Sequence, residues 1–347
     1  MKKILLVDPL CYKGHVNYNA GIIRALSLYY DCDIIVNKFI YDQLRAKGFN
    51  KDKFIHVYPN EWNIETLSKN KNKVFYHLAF RFYFIKLLFE VVRVKRNYDA
   101  VFITCVDIYS YALISWLLGN NIYVVDHGIG SLVDNKLYKL AWKITCKHTN
   151  IITLEEFITQ MVKKVLGRSN VFVVKHPLPE KKHEAAHKVT NKTNYLIFAP
   201  SASNDETFLH KLSESVIPST ISIVAKSNSF EFDNGIVKIY NKYLPKSEYD
   251  FLLSNADYIL LPYEPSYNYR ISAIMFEALC MGTPILLLNN NTLKNYGEIF
   301  KGRVHLFEDV EDMLGKIGCS SVFNCTDDNL DDYSDISIAN SIKEILG

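Results

Sequence analysis

The chain has 347 residues and a formal net charge of +3, and it is 49% hydrophobic and 13% aromatic. That length exceeds what one core usually serves, so two domains are expected, and the composition excludes a disordered or fibrous protein. The small total hides an asymmetry: residues 1–193 hold 29 Lys and Arg against 16 Asp and Glu, a balance of +13, while the remainder carries −10.

The N-terminus passes from Met1-Lys2-Lys3 into Ile4-Leu5-Leu6-Val7-Asp8. That apolar run is too short for a signal peptide, so a cytoplasmic protein is expected. Short β-branched runs then alternate with stretches of helical period, the pattern of parallel α/β domains. Strands are predicted near 3–8, 33–37, 53–58, 100–105, 121–126, 150–153 and 171–175. A loop with Gly14-His15, Asn17 and Asn19 follows the first strand and opens a helix. It lacks the G-x-G-x-x-G spacing of a dinucleotide site.

Residues 74–96 depart from the α/β rhythm. They are aromatic and apolar over most of a helical circumference, interrupted by His77, Arg81, Lys86 and Glu90, and they end on Arg93, Lys95 and Arg96. The charges are too frequent for a membrane span, but a basic, aromatic helix suits the headgroup region of an anionic bilayer. A long buried helix satisfies the same pattern. Arg81, Lys86, Arg93, Lys95 and Arg96 are the candidate membrane or acceptor contacts, and the +13 half agrees with an anionic partner. Further along, Asp126-His127-Gly128-Ile129-Gly130 ends the strand 121–126. His127 at a strand terminus is the first candidate for a catalytic or donor-positioning role, with Asp126 to orient its ring or act as a base.

The alternation stops at residues 181–193, charged and without apolar period, which read as a linker between a first domain at 1–180 and a second at 194–335. The second has strands predicted near 194–199, 220–225, 235–240, 257–262, 284–288 and 303–307. A last helix, 336–347, is placed to pack back across the cleft. Ser201 follows the first strand of this series and Lys226 the second. The stretch 257–288 is the most informative. Its strand ends at Pro262, a polar and aromatic loop follows, and Ser272 caps a helix that Gly282 and Pro284 close. The unpaired N–H groups of that helix, with the forked donor of Arg270, form a diphosphate site at the carboxyl end of a parallel strand. Glu277, about one and a half turns on, is placed to accept from a ribose diol.

Glu277-Ala278, then Gly282-Thr283-Pro284, resembles the E-A-x-x-x-G-x-P segment of the glycogen-synthase-like group (family 4) of GT-B glycosyltransferases. The resemblance implies an α/β chain of two doubly wound Rossmann-like domains with a cleft between them. It also implies a nucleotide-diphosphate sugar as co-substrate and Glu277 on the nucleotide ribose. The group usually carries a second glutamate eight residues earlier, where this chain has Tyr269, within a Tyr-x-Tyr-Arg-x-Ser arrangement similar to that of some O-antigen and capsule transferases. Family logic also places Lys226 and Ser201 at the donor phosphates, and Gly14 and His15 in a loop beside the diphosphate.

The expected activity is therefore sugar transfer to a lipid-pyrophosphate-linked acceptor of surface polysaccharide, at the inner face of the membrane. No metal, other cofactor or nucleic acid is expected. A nucleotide-sugar 2-epimerase shares the domain plan, and Tyr269 in place of glutamate also admits an inactive homologue acting as a scaffold. The seven cysteines are odd in number and lack a C-x-x-C pair, as reduced core residues would.

Overall fold

In the computed structural model, which describes residues 1–9, 15–59, 73–180, 194–290, 292–318 and 328–347, the opening apolar run becomes β1 (Lys3–Val7). Ile4 to Val7 are wholly buried, as a strand covered on both faces of a parallel sheet must be. Two compact units form, Met1–Leu178 with Asp331–Gly347 and Pro179–Leu330.

In the first unit β1 lies between β2 (Asp31–Asn37) and β4 (Ala100–Ile103). With β3 (Phe54–Tyr58), β5 (Ile122–Val125), β6 (Asn150–Thr153) and β7 (Val171–Val173) they make a parallel sheet of order β3-β2-β1-β4-β5-β6-β7. The chain steps one way through β1 to β3 and the other way through β4 to β7, so the topological switch point lies between β1 and β4. Right-handed crossovers then put α1 (His15–Ser27) and α2 (Lys38–Ala46) on one face of the sheet. The opposite face takes α3 (Lys73–Val94), α4 (Ile108–Leu118), α5 (Lys136–Thr145) and α6 (Glu156–Leu166). Neighbours in the second group pack side by side. Local chemistry sets the helix ends. Asn37, Asp107 and Asn135 accept from the first-turn amides of α2, α4 and α5, and Gly167 closes α6 in the left-handed conformation.

The second unit repeats the plan. Its sheet, β10-β11-β9-β8-β12-β13-β14, is built from β8 (Tyr195–Ala199), β9 (Ile221–Lys226), β10 (Phe232–Asp233), β11 (Val237–Tyr240), β12 (Tyr258–Leu261), β13 (Ile285–Leu288) and β14 (Val304–Phe307). The two-residue β10 was not predicted. It pairs antiparallel with β11 across a turn at Asn234-Gly235, and two residues carry no readable period. The helices are α7 (Glu206–Glu214), α8 (Lys246–Asn255), α9 (Ala273–Cys280), α10 (Asn295–Ile299) and α11 (Val310–Lys316). Here the switch point lies between β8 and β12.

The last helix, α12 (Asp335–Leu346), packs on α1 within the first unit. Arg24 Nε donates to Asp335 at 2.7 Å, and buried Glu155 accepts from Lys175 and from the Tyr333 hydroxyl. Gly21 lets α1 approach the segment after β7, since a Cβ there would sit 2.3 Å from the Pro177 ring.

Candidate functional site

In the second unit the loops leaving β8 and β12 meet at the switch point, where open α/β sheets bind ligands. They are sewn together. Asn204 bridges to Tyr263, Asp205 N–H donates to Pro262 O, and Glu264 N–H donates to Ser203 O. Asn204 Nδ2 also donates to Ala199 and Lys226 carbonyls at 3.1 and 2.9 Å, fixing the ends of β8 and β9. Among the predicted residues, Ser201 and Ser272 come together through Tyr263, which sequence reasoning passed over. Its buried hydroxyl pairs with Ser272 Oγ at 2.5 Å and with Ser201, while Ser272 caps α9 by accepting from Met275 N–H. Burial drives the Tyr263 phenol well above its ordinary pKa. Tyr267 stacks on Tyr263 at 4.0 Å, its own phenol pushed up to about 12 by burial, and the Arg270 guanidinium lies 5.7 Å from the Tyr267 ring centre. No carboxylate pairs with Arg270 among the described residues.

Tyr269 has φ of +54°, the non-glycine residue with positive φ among those described. Its amide donates to Thr292 Oγ1 at 3.1 Å, and Thr292 donates in turn to Asn268. A left-handed tyrosine costs roughly 1–2 kcal/mol and persists only where neighbours hold it. Glu277 is partly exposed on α9 and accepts from the Tyr249 hydroxyl of α8 at 3.2 Å. Gly282 takes φ of +65°, as a C′ residue after α9 requires.

Lys226 is placed differently from the expected clamp. It is buried at the end of β9, and its ammonium is turned onto the Ser227 carbonyl, the Asn241 carbonyl and Asn228 Oδ1. All three donors serve neutral oxygens of adjoining loops, and burial lowers its pKa. It therefore braces those loops, and contact with a phosphate would require exchanging one of these bonds.

In the first unit, side chains gather at the carboxyl ends of β1 and β5 and after β7. His127 follows β5, His15 opens α1, and their rings lie 4.7 Å apart. Tyr18 meets His127 edge-on at 4.9 Å and His176 at 5.3 Å. The His127 Nε2 atom is buried and has no partner among the described residues. Burial first, then the neighbouring His15 and His176, holds its pKa well below the usual imidazole range, so it is neutral near pH 7. Asp126 does not play the ring-orienting part expected of it. Its carboxylate accepts from Gly128 N–H at 2.8 Å, from Trp142 Nε1 at 3.3 Å and from the Tyr138 hydroxyl, so it secures the loop to α5. The carboxylate that favours a charged His127 is that of Asp8, fully buried after β1. Asp8 accepts from Asn19 Nδ2 at 2.6 Å and lies 3.4 Å from His15 Nδ1. Asp8, Tyr18 and His176 were missed because no spacing links them. Gly14 lies outside the described residues.

The candidate basic contacts are also sorted by the structure. Arg81 sits 3.8 Å from Asp107 and over the Tyr109 ring, Lys86 and Arg96 are exposed, and Arg93 pairs with Glu90 at 2.7 Å. Lys95 is part-buried, its ammonium donates to the Leu117 carbonyl, and burial lowers its pKa, which ties its charge to the end of α4. No described helix is long and apolar enough to cross a membrane.

Two spacings bear on the expectation of no metal. Asp31-Cys32-Asp33 has D-x-D form, but its carboxylates pair with Lys53 and Lys3 at the opposite, amino-terminal end of the sheet. His183-Glu184-Ala185-Ala186-His187 has H-E-x-x-H form and lies outside the described residues. No metal-ligating group of three or more side chains occurs among the described residues.

No family model and no curated protein matches this chain. Solved structures do. HepE from Anabaena, in complex with UDP and glucose, superposes with a TM-score of 0.66 at 13% identity, covering 100% of this chain and 99% of that one. Staphylococcus aureus TarM, in a complex with fondaparinux, α-GlcNAc-glycerol and UDP, gives 0.66 at 13% identity with both chains covered in full. A Listeria monocytogenes protein described as a UDP-N-acetylglucosamine 2-epimerase gives 0.58 at 15% identity, covering 98% and 94%. At such identities the likeness establishes the fold, and the fold is GT-B, two doubly wound α/β units of seven strands each.

Proposed function

We propose that this chain is a glycosyltransferase that takes a sugar from a nucleotide-diphosphate carrier. The observation that carries the reading is the grouping of side chains at the β8–β12 switch point. There the start of α9 and an Arg270 without a carboxylate partner among the described residues adjoin a partly exposed Glu277 held by the Tyr249 hydroxyl. Amides at a helix start and a forked cation suit a diphosphate, and an oriented carboxylate suits a ribose diol. Ser201 and Tyr269 border this donor site, and Lys226 braces it from β9. UDP is the first nucleotide to try, since the HepE and TarM structures both contain it.

The first unit is assigned the acceptor. His127, neutral and with a buried Nε2 that has no partner among the described residues, is its proton-accepting or positioning group. The acceptor is a lipid-pyrophosphate-linked saccharide of surface polysaccharide, met by a peripherally attached enzyme at the inner face of the membrane. Transfer proceeds without a metal and with retention.

Nucleotide release from UDP-, GDP-, CMP- and dTDP-sugars tests this, with wild type beside Glu277→Ala, each with and without a lipid-pyrophosphate acceptor. Acceptor-dependent release of one nucleotide, lost in the variant, is the expected result. Acceptor-independent interconversion would identify an epimerase instead, and no binding or release across the panel would leave a scaffold.

A further inference from the structure

The helical layer over α3, α4 and α5 exposes large apolar side chains that belong in a core. Phe82 on α3 is 63% exposed, Trp116 on α4 64% and Leu137 on α5 69%, and Leu78, Leu113, Leu140 and Ile144 are more than half exposed beside them. On each helix they recur at helical spacing, so each presents one outward stripe. The three stripes lie side by side because α3 packs on α4 and α4 on α5. Arg81 over Tyr109, and Tyr109 against Tyr138, link the same three helices at one end. Scattered single apolar residues need no explanation, but exposed apolar stripes on three helices packed side by side mark something that covers them.

The charge on this face names the cover. Lys136, Lys139, Lys143 and Lys147 alternate with Leu137, Leu140 and Ile144, and residues 135–154 contain no Asp or Glu. Between α4, α5 and the end of α6 lies a cavity of about 630 Å³, whose rim brings together Trp116, Lys143, Ile144, Lys147, His148 and Arg168 with no carboxylate among its lining. The Trp116 indole N–H donates to Leu113 O at 3.0 Å, so its polar atom is satisfied within α4 and the rest of the ring is bare. Apolar side chains interleaved with lysines on one helical face match the boundary between acyl chains and anionic headgroups, where both contributions add. A second copy of the chain would oppose lysine to lysine. A nucleic-acid backbone would leave the leucines without contacts.

We infer that the α3–α4–α5 face docks flat on an anionic phospholipid bilayer, with one lipid phosphate seated in the cavity among Lys143, Lys147 and Arg168. This deepens the membrane partner named above and moves its centre from the basic residues at the end of α3 to α4 and α5. Docking does not require that the chain transfers sugar.

The test is co-sedimentation of the full chain with vesicles of phosphatidylglycerol and phosphatidylcholine in equal parts, beside pure phosphatidylcholine. It is run at about 0.1 M salt, where surface charges are felt over about 10 Å. Wild type is expected to sediment with the anionic vesicles only. Lys143→Glu with Lys147→Glu should cut the bound fraction roughly tenfold or more, as should Trp116→Ser with Leu140→Ser, while Arg45→Glu on α2 should not. All the altered side chains except that of Leu140 carry a charge or lie at the rim, and thermal melts confirm that each variant stays folded. Wild type left in the supernatant, or anionic binding unchanged in the paired variants, would overturn the proposal. So would full release by millimolar inorganic phosphate, which would mark the cavity as a site for free anions. None of these readings depends on turnover, so a failed transferase assay and a failed docking assay are told apart.

Discussion

The Tyr249 hydroxyl on α8 donates to the Glu277 carboxylate on α9 at 3.2 Å, joining two helices that flank the β8–β12 switch point. Burial and the adjoining Glu277 drive the Tyr249 phenol far above its ordinary pKa, so it remains a donor at any working pH. A hydrogen bond to a charged group contributes about 1.5–3 kcal/mol when buried and less at partial exposure. Tyr249→Phe is therefore expected to raise the donor KM by about tenfold with little change in kcat, whereas Glu277→Ala should lower kcat/KM by about a hundredfold. Calorimetric titration with the free nucleotide checks the first, since the loss must appear in binding. Equal affinity in wild type and Tyr249→Phe would reduce that bond to packing.

Tyr269 pays a backbone cost that a different residue would avoid. At φ of +54° an asparagine is tolerated better than a tyrosine, so Tyr269→Asn should keep or raise stability by up to about 1 kcal/mol. If the ring serves the donor, the same variant loses activity severalfold. Denaturant unfolding and steady-state rates measured together decide the point. A gain in stability with full activity would mean that the tyrosine does nothing for the donor.

Most of the strands were legible because parallel strands buried on both faces leave continuous apolar runs, as in Ile4 to Val7 and Tyr258 to Leu261. The ends of α9 were legible for a different reason, since Ser272, Gly282 and Pro284 each have a backbone preference that acts locally. What escaped is whatever depends on distant partners. Asp8 joins Asn19 and His15 only after α1 folds back on β1, and His176 reaches Tyr18 from beyond β7. Tyr263 could not be told from its neighbours Tyr267 and Tyr269, although only its hydroxyl ties Ser201 to Ser272. Lys95 looked like a surface cation because sequence does not show a lysine donating to the Leu117 carbonyl.

Asp126 provides a clean distinction between structural and proton-transfer roles. Asp126→Asn replaces an acceptor-only group by one whose amide faces the donors of Gly128, Tyr138 and Trp142, so one or two buried donors lose their partner. The expected loss is about 2–3 kcal/mol of stability, read by urea unfolding. Residual activity, measured where the variant is still folded, should keep the wild-type pH profile. Disappearance of a limb of that profile would restore Asp126 as a base.

The histidine cluster contributes to the acid side of stability. His176 is held down to about 4, chiefly by burial, and His127 is also held well below 6.5. Both are neutral in the fold and take up a proton more readily once unfolded. Below pH 6.5 the unfolded chain therefore binds more protons than the native one, and stability falls with falling pH until the folded-state values are reached. For His176 alone the window from 6.5 to about 4 corresponds to at most about 3 kcal/mol, and above pH 6.5 neither histidine adds a slope. Urea midpoints from pH 8 to 4.5 should be flat and then decline, and His176→Gln should flatten the decline. His127→Asn should flatten it as well and, unlike His176→Gln, lower kcat at pH 7. A decline unchanged in both variants would locate the acid sensitivity elsewhere, and equal kcat loss in both would deny His127 its separate place in the chemistry.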